Sequence, residues 1–517
     1  MTTPLHRILA QPSRATAIES RSGSATFGEL ASASSRLARA LGEGHGITRG
    51  ERVGLLLEPG PAFVEALFAV WRARAVALVL TTLHPAKERA RLLADAGARL
   101  VITSPQLAED AADAHDLRVH VHARSGEGLG PGQDGSRSSA PAEPSSLLPE
   151  PADLALLVYT SGTTSRPKGV MLHHHHLEAQ CAAIANTWRL APDDVLVHAL
   201  PLHHVHGLVI ALLSVLRAGG RALMLERFEA NAVLSACERA NLFMGVPTMY
   251  ARLLEALDEL SSDEWAAAAA VLARLRLCVS GSAGLPVSLG ERWRELTGSY
   301  PVERFGMTEL GVALSNRVDG ARLPGSVGWP LPGVDVKLAR DEDGAHREDA
   351  GANGSDDGEE GEMLIAGPTV FGAYWERPAE TAEAFVDDGE RRWFRTGDTV
   401  RRHADGSYSV LGRTSVDILK SAGYKISALA VEEALRLHED VRDAAVVGLP
   451  DETYGQLVAA AVTLREGRRV DPDALLEFLR EEIAPYQLPR LLRVVDELPR
   501  NAMGKVVKPT LVRLLRV

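Results

Sequence analysis

The stretch YTSGTTSRPKGV, Tyr159 to Val170, gathers hydroxyls, two glycines and one lysine into a dozen residues. Small residues let a backbone approach an oxyanion, hydroxyls and N–H groups donate to it, and a lysine adds charge. The order departs from the common nucleotide loop G-x-x-x-x-G-K-[ST], because Lys168 precedes a glycine and the hydroxyls lead. Its chemistry would be phosphate holding, by backbone N–H groups and by Thr160, Ser161, Thr163, Thr164 and Lys168; taken alone, it reads as an ordinary Gly/Ser turn. Arg304 offers something else. Its planar guanidinium can grip a carboxylate with two parallel hydrogen bonds, or it can pair with Glu303 or another acid of the chain. The residues alone leave both open. Four successive histidines, His173 to His176, invite a metal reading. Metal ligands must converge, however, and successive helix residues point apart, so the run reads as a helix start.

These groups need a scaffold, and the apolar pattern supplies one. Between Arg52 and Thr103 strand-length runs (RVGLLL, VALVL, ARLVIT) alternate with helical spacing (PAFVEALFAVWRARA, HPAKERARLLADAG). That alternation predicts an α/β fold, a mostly parallel sheet covered by helices. The most apolar stretch, Gly207 to Leu225, is broken by Arg217 and Gly219-Gly220 and reads as a buried helix, not a membrane span. Arg124 to Pro151, rich in Gly, Ser and Pro, and the acidic run Asp341 to Gly361 read as surface loops or disordered connections. Beyond Gly412 shorter strands (SVDILKSAGYKIS, AAVVGLP, LVAAAVTL) and helices (ALAVEEALRLH, PDALLEFLREEIA) predict a separate α+β domain of roughly one hundred residues. The expected division is residues 1–412 and 413–517.

Composition narrows the class. The chain has 517 residues, 45% hydrophobic and 24% charged, ordinary values for a globular protein with a sizeable core. A net charge of −12 argues against nucleic-acid partners, which need a basic face. Cys181, Cys237 and Cys278 lie far apart and form no C-x-x-C pair, which favours a reducing, cytoplasmic compartment. The N-terminus lacks the apolar core of a secretory signal; its arginines, Arg7, Arg14 and Arg21, leave an organelle-targeting reading beside the simpler one of a short exposed tail.

The motifs YTSGTTSRPKGV, FGMTE (Phe305–Glu309), TGD (Thr396–Asp398), GRTSVDILKSAGYKI and PRNAMGKVVK occur in an order and at spacings that resemble the adenylate-forming enzymes. These are acyl-CoA synthetases, luciferases and peptide-synthetase adenylation domains. The resemblance covers nearly the whole chain. It implies a large N-terminal domain and a smaller mobile C-terminal one, with a carboxylate attacking the α-phosphate of ATP, pyrophosphate leaving, and the acyl group passing to a thiol. It assigns the loop residues Thr160, Ser161, Gly162, Thr163, Thr164 and Lys168 to the departing pyrophosphate, although SRPKG is less glycine-rich than the family form. Thr308 would touch the α-phosphate and Glu309 would hold Mg2+, a hard cation suited to oxygen. Gly281, Ser282 and Ala283, with Phe305, Gly306 and Met307, would frame the adenine. Asp398 would take the ribose and Arg413 would reach the nucleotide. Lys505 would serve adenylation, and Gly423 would pass close to the pantetheine of coenzyme A. The pivot would lie within Arg413–Asp417, with Ser415 as its candidate residue.

LPLHHVHGL, GVPTMY, VSGSAGLP and ERFGMTE look further like malonyl-CoA synthetases. On that resemblance Arg304 binds the distal carboxylate of malonate or methylmalonate, with His206 and Ser280 or Ser282 as added donors, and the setting is fatty acid metabolism. The competing readings are a synthetase for another small acid, an adenylation enzyme loading a separate carrier protein, and a nucleotide-binding regulator. Oligomeric state is not legible.

Overall fold

The computed structural model describes residues 2–112, 118–124, 148–160, 167–320, 322–339, 358–414, 416–421, 424–451, 454–500 and 505–516. Its first sheet runs, edge to edge, through Arg118–Val121, Leu100–Thr103, Arg52–Leu56, Val76–Val79, Leu154–Thr160 and Lys168–His173. All pairs are parallel except the last, where the strands flanking the opening loop run antiparallel and place Thr160 opposite Lys168. Helices Pro61–Arg72 and Ala86–Ala96 cross between its parallel strands, as the alternating pattern predicts.

A nine-stranded sheet lies beside it, with its central strands Thr16–Ser20, Arg221–Met224, Val195–His198, Leu242–Gly245, Leu277–Ser280 and Val302–Met307 parallel. One buried apolar cluster joins the two sheets, with Trp71, Trp188 and Trp293 fully enclosed. An antiparallel sheet of Asp335–Ala339, Glu359–Ala366, Phe385–Asp387, Arg392–Arg402 and Tyr408–Arg413 completes this body. The next sheet holds Ile418–Ser421, Tyr424–Ser427, Val441–Asp451, Gly455–Leu464 and Leu491–Val494. It packs on helices Ala428–Arg436 and Pro472–Glu482 around its own core.

Two local expectations are corrected. The Gly207–Leu225 run is not one helix. A π-helical segment His206–Leu213 passes into a short helix Ser214–Arg217, and the chain turns at Gly219, φ 88°, into the strand Arg221–Met224. A left-handed glycine ends the helix and frees the apolar remainder to pair in the sheet. Glu359, Glu360 and Gly361, read as the end of an acidic loop, form a strand paired with Val400–Arg402, where Arg401 answers Glu360 at 2.9 Å. Residues 125–147 and 340–357, the bulk of the two expected loops, lie outside the described residues.

The histidine run does begin a helix, His174–Thr187. His174 is buried edge-on against Trp71, His176 Nδ1 accepts from the His173 N–H at 3.1 Å, and His175 bonds the Pro151 carbonyl at 2.9 Å. These side chains serve packing and capping, the rings of His173, His175 and His176 against one another and that of His174 against Trp71. No described helix is long and apolar enough to cross a membrane.

Candidate active site

The site lies at the carboxyl ends of the parallel strands, where open α/β sheets leave a crevice. Strand Val302–Met307 turns through Thr308–Leu310 into the antiparallel strand Gly311–Ser315. A Cβ on Gly306 would stand 2.0 Å from the Gly311 carbonyl oxygen, so only glycine lets the hairpin close this tightly. The hairpin carries Arg304, Phe305, Met307, Thr308 and Glu309 into the crevice, with Phe305 half-buried.

Strand alternation separates Glu303 from Arg304. Glu303 Oε1 accepts from the Leu285 N–H at 3.0 Å, and burial pushes its carboxyl up to about 8. Arg304 is buried and lies flat against Gly281, where a Cβ would come within 2.2 Å of its Nε. Among the described residues its Nε and Nη2 have no hydrogen-bond partner and no acid pairs with it. Burial lowers its value to about 10, which still leaves a cation at neutral pH. Isolated buried charge is costly, so this guanidinium is built for a partner that the described residues do not supply.

His206 approaches from the π-helical turn. Its Nδ1 stands 3.1 Å from Ser282 Oγ, and its buried Nε2 has no partner among the described residues. Burial, and after it the charge of Arg304, holds the imidazole well below its ordinary value, hence neutral. Ser280 Oγ is likewise buried without a partner. Ser282 itself has φ 69°, a left-handed conformation that non-glycine residues seldom adopt and that clusters at functional sites.

Across the crevice, Tyr374 organises a second group. Residues 373–375 add to the strand that begins at Lys168, with Trp375 N–H donating to the Gly169 carbonyl at 2.7 Å. This brings the Tyr374 ring under Lys168 Nζ, 5.2 Å from its centroid, and the Tyr374 hydroxyl to Glu309 Oε1 at 2.9 Å. Burial raises the Glu309 carboxyl, opposed by Tyr374 and by the charges of Arg413 and Lys168. Sequence reasoning missed Tyr374; it sits in VFGAYWERP, which carries no chemical motif, and only sheet pairing reveals its role.

Asp398 and Arg413 face each other on paired strands, Arg413 Nε standing 3.1 Å from Asp398 Oδ1. Arg413 Nη1 also donates to the Thr396 carbonyl at 2.6 Å. Burial pushes the Asp398 carboxyl up to about 6, with Arg413 pulling the other way. Lys505 enters from the C-terminal unit. It keeps a water-exposed surface in a crowded cleft, where desolvation, then Arg413 and Arg304, lowers its ammonium, while Asp398 favours the charge. The structure therefore gathers Lys168, Glu309, Asp398, Arg413 and Lys505 on one side and Arg304, His206, Ser280 and Ser282 on the other. Ser161, Gly162, Thr163, Thr164, Ser415 and Gly423 lie outside the described residues.

A crevice that joins a phosphate-suited wall to a buried, unanswered cation, beneath a lysine from a second unit, has the layout of an enzyme that activates an acid with a nucleotide. The chain belongs to the AMP-binding enzyme family: that family's profile matches residues 5–375, and the profile of the AMP-binding enzyme C-terminal domain matches residues 430–505. It is 41% identical to the mitochondrial malonate–CoA ligase ACSF3 of Homo sapiens, over 96% of this chain and 89% of the relative. The ATP-bound crystal structure of MatB from Rhodopseudomonas palustris superposes with a TM-score of 0.84 at 32% identity, covering 99% of this chain and 98% of that one. A malonyl-CoA ligase ternary product complex with methylmalonyl-CoA and AMP bound matches at 35% identity and a TM-score of 0.65, covering 95% and 99%. The expected α/β architecture with its smaller C-terminal unit is the architecture of these neighbours.

Proposed function

We propose that the chain is an acid–thiol ligase that makes malonyl-CoA, and accepts methylmalonate, by forming an acyl-adenylate from ATP and passing the acyl group to coenzyme A. One observation carries the choice of acid. Arg304 Nε and Nη2, His206 Nε2 and Ser280 Oγ are buried polar atoms without partners among the described residues. A monocarboxylic fatty acid would leave them unanswered, at a cost for each. A second carboxylate answers them together: the guanidinium fork takes it, and with Ser282 donating to His206 Nδ1, the imidazole proton stands on Nε2 as a further donor. The malonate–CoA ligase relatives support the same substrate.

The remaining roles follow from charge. Lys168 and the loop beside it hold the outgoing pyrophosphate, Thr308 meets the α-phosphate, and Asp398 accepts from the ribose hydroxyls. The loop from Gly281 through Ala283 and the hairpin residues Phe305 to Met307 border the purine, and Phe305 offers it a ring face. The buried, hydrogen-bonded Glu309 carboxylate fits Mg2+ entering with the phosphates, because a divalent cation offsets the burial that raises it. The ion would neutralise phosphate charge; the chain's part is to position Glu309 through Tyr374. Lys505 then reaches the attacking carboxylate and the α-phosphate.

The test is pyrophosphate release with Mg·ATP across malonate, methylmalonate, succinate, acetate and octanoate, with and without coenzyme A. Preference for malonate or methylmalonate, with sustained turnover requiring coenzyme A, supports the proposal. Preference for acetate or octanoate overturns the acid assignment and leaves adenylation standing.

A further inference from the structure

Just past Ala283 the chain bordering the nucleotide runs into helix Val287–Thr297, whose first turn has no side-chain cap of its own because Pro286 occupies the N-cap. The N–H groups of that turn need acceptors. One carboxylate answers within that turn and a second acid holds the residue just before the N-cap, one from each unit. From beneath, buried Glu303 accepts from the Leu285 N–H at 3.0 Å. From the C-terminal unit, Glu433 on helix Ala428–Arg436 reaches across and its Oε2 accepts from the Val287 N–H at 3.2 Å. Arg436 holds the other oxygen of Glu433 at 3.0 Å, which fixes the reach of the side chain. A carboxylate at a helix N-terminus also meets the positive end of the helix dipole.

We propose that Glu433 is a positioning residue for adenylation: a movable jaw that, against the fixed jaw of Glu303, holds the segment Leu285–Val287 and so steadies the Gly281–Gly284 loop while the C-terminal unit sits over the site. The inference rests on the proposed function and on the mobile C-terminal unit that the family resemblance implies, with that unit swinging away from the site for thiol transfer. Glu433 travels with the unit while Glu303 stays, so the swing itself withdraws one support from the loop after the acyl-adenylate has formed. The loop is held for the step that needs ordered ATP and eased for the step that ends in AMP release. The left-handed Ser282 lies within this loop, a conformation that requires outside support.

The experiment separates the half-reactions in the full-length protein. Pyrophosphate release before the first thiol turnover reports adenylation; thioester formation from supplied acyl-adenylate and coenzyme A reports transfer. Glu433→Ala is expected to slow adenylation about five-fold, the effect of losing a helix cap, and to leave transfer unchanged or faster. Glu433→Gln, whose amide oxygen still accepts from Val287 but which loses the charge and the Arg436 contact, is expected to fall between the wild type and Glu433→Ala. Equal losses in both half-reactions, or an unchanged adenylation rate in Glu433→Ala, would overturn the proposal. The ratio is read on whichever acid the wild type adenylates, so failure of the malonate assignment is seen in the wild type and leaves the clamp test intact.

Discussion

Arg304 carries its charge where water does not reach and where no described acid answers it. Protein charges buried this way are ordinarily paired, and truncating one member of a bound pair costs about 2–5 kcal/mol. Arg304→Ala is therefore expected to lower kcat/KM for malonate about thirty-fold or more; activity within about two-fold of wild type would assign the guanidinium a structural role. Asp398 makes a second prediction, in pH. Burial raises its carboxyl to about 6. Ribose hydroxyls donate more strongly to the ionised form than to the neutral acid, so protonation below that value weakens nucleotide binding. The KM for ATP is expected to be flat above pH 6 and to rise as pH falls through about 6. Asp398→Asn should abolish this limb. Both residues were legible in the sequence through their motifs. The isolation of Arg304 was not, because Glu303 adjoins it in the chain and only strand alternation sends the two side chains apart.

At the scale of elements, the alternation of apolar runs made the crossover strands and helices between Arg52 and Thr103 readable, since period-2 and period-3.6 patterns bury different faces. The run Gly207–Leu225 defeated the same logic: a fully apolar stretch carries no period, and only the left-handed Gly219 separates helix from strand. Glu359–Gly361 misled for the opposite reason, as acidic residues on a partly exposed strand look like loop until Arg401 faces them across the sheet. Tyr374 was invisible because its role comes from an irregular segment pairing with the strand beyond Lys168. Its hydroxyl supports the ionised form of Glu309 in a place where burial opposes it. Tyr374→Phe is expected to raise the KM for Mg·ATP about ten-fold, the size of a hydrogen bond to a charged group. The KM for the acid should hold. Equal changes in both constants would mean that the hydroxyl supports the shape of the whole site and does not act on Glu309 alone.

At the scale of the whole molecule, two lysines of the PRNAMGKVVK segment divide the work between the units. Lys508 is spent within the C-terminal unit: it pairs with Asp417, stands 3.5 Å from Glu432 and donates to the Val446 carbonyl at 2.9 Å. It ties the final helix to the unit's own core and to the start of the connecting segment, where Asp417 also accepts from the Arg413 N–H at 2.9 Å. Lys505 instead projects into the field of Asp398, Arg413 and Arg304 on the large body. A cation delivered by a separate unit can stabilise charge in one half-reaction and leave for the next, which a residue on the large body cannot do. Lys505→Ala is accordingly expected to cut pyrophosphate release about a hundred-fold or more, while thioester formation from supplied malonyl-adenylate persists. Loss of both half-reactions to the same degree would mean that Lys505 holds the units together and does not act at the reacting phosphate. Lys508→Ala is the contrasting variant: it should lower the thermal midpoint and slow both half-reactions alike, because its partners belong to the unit's framework.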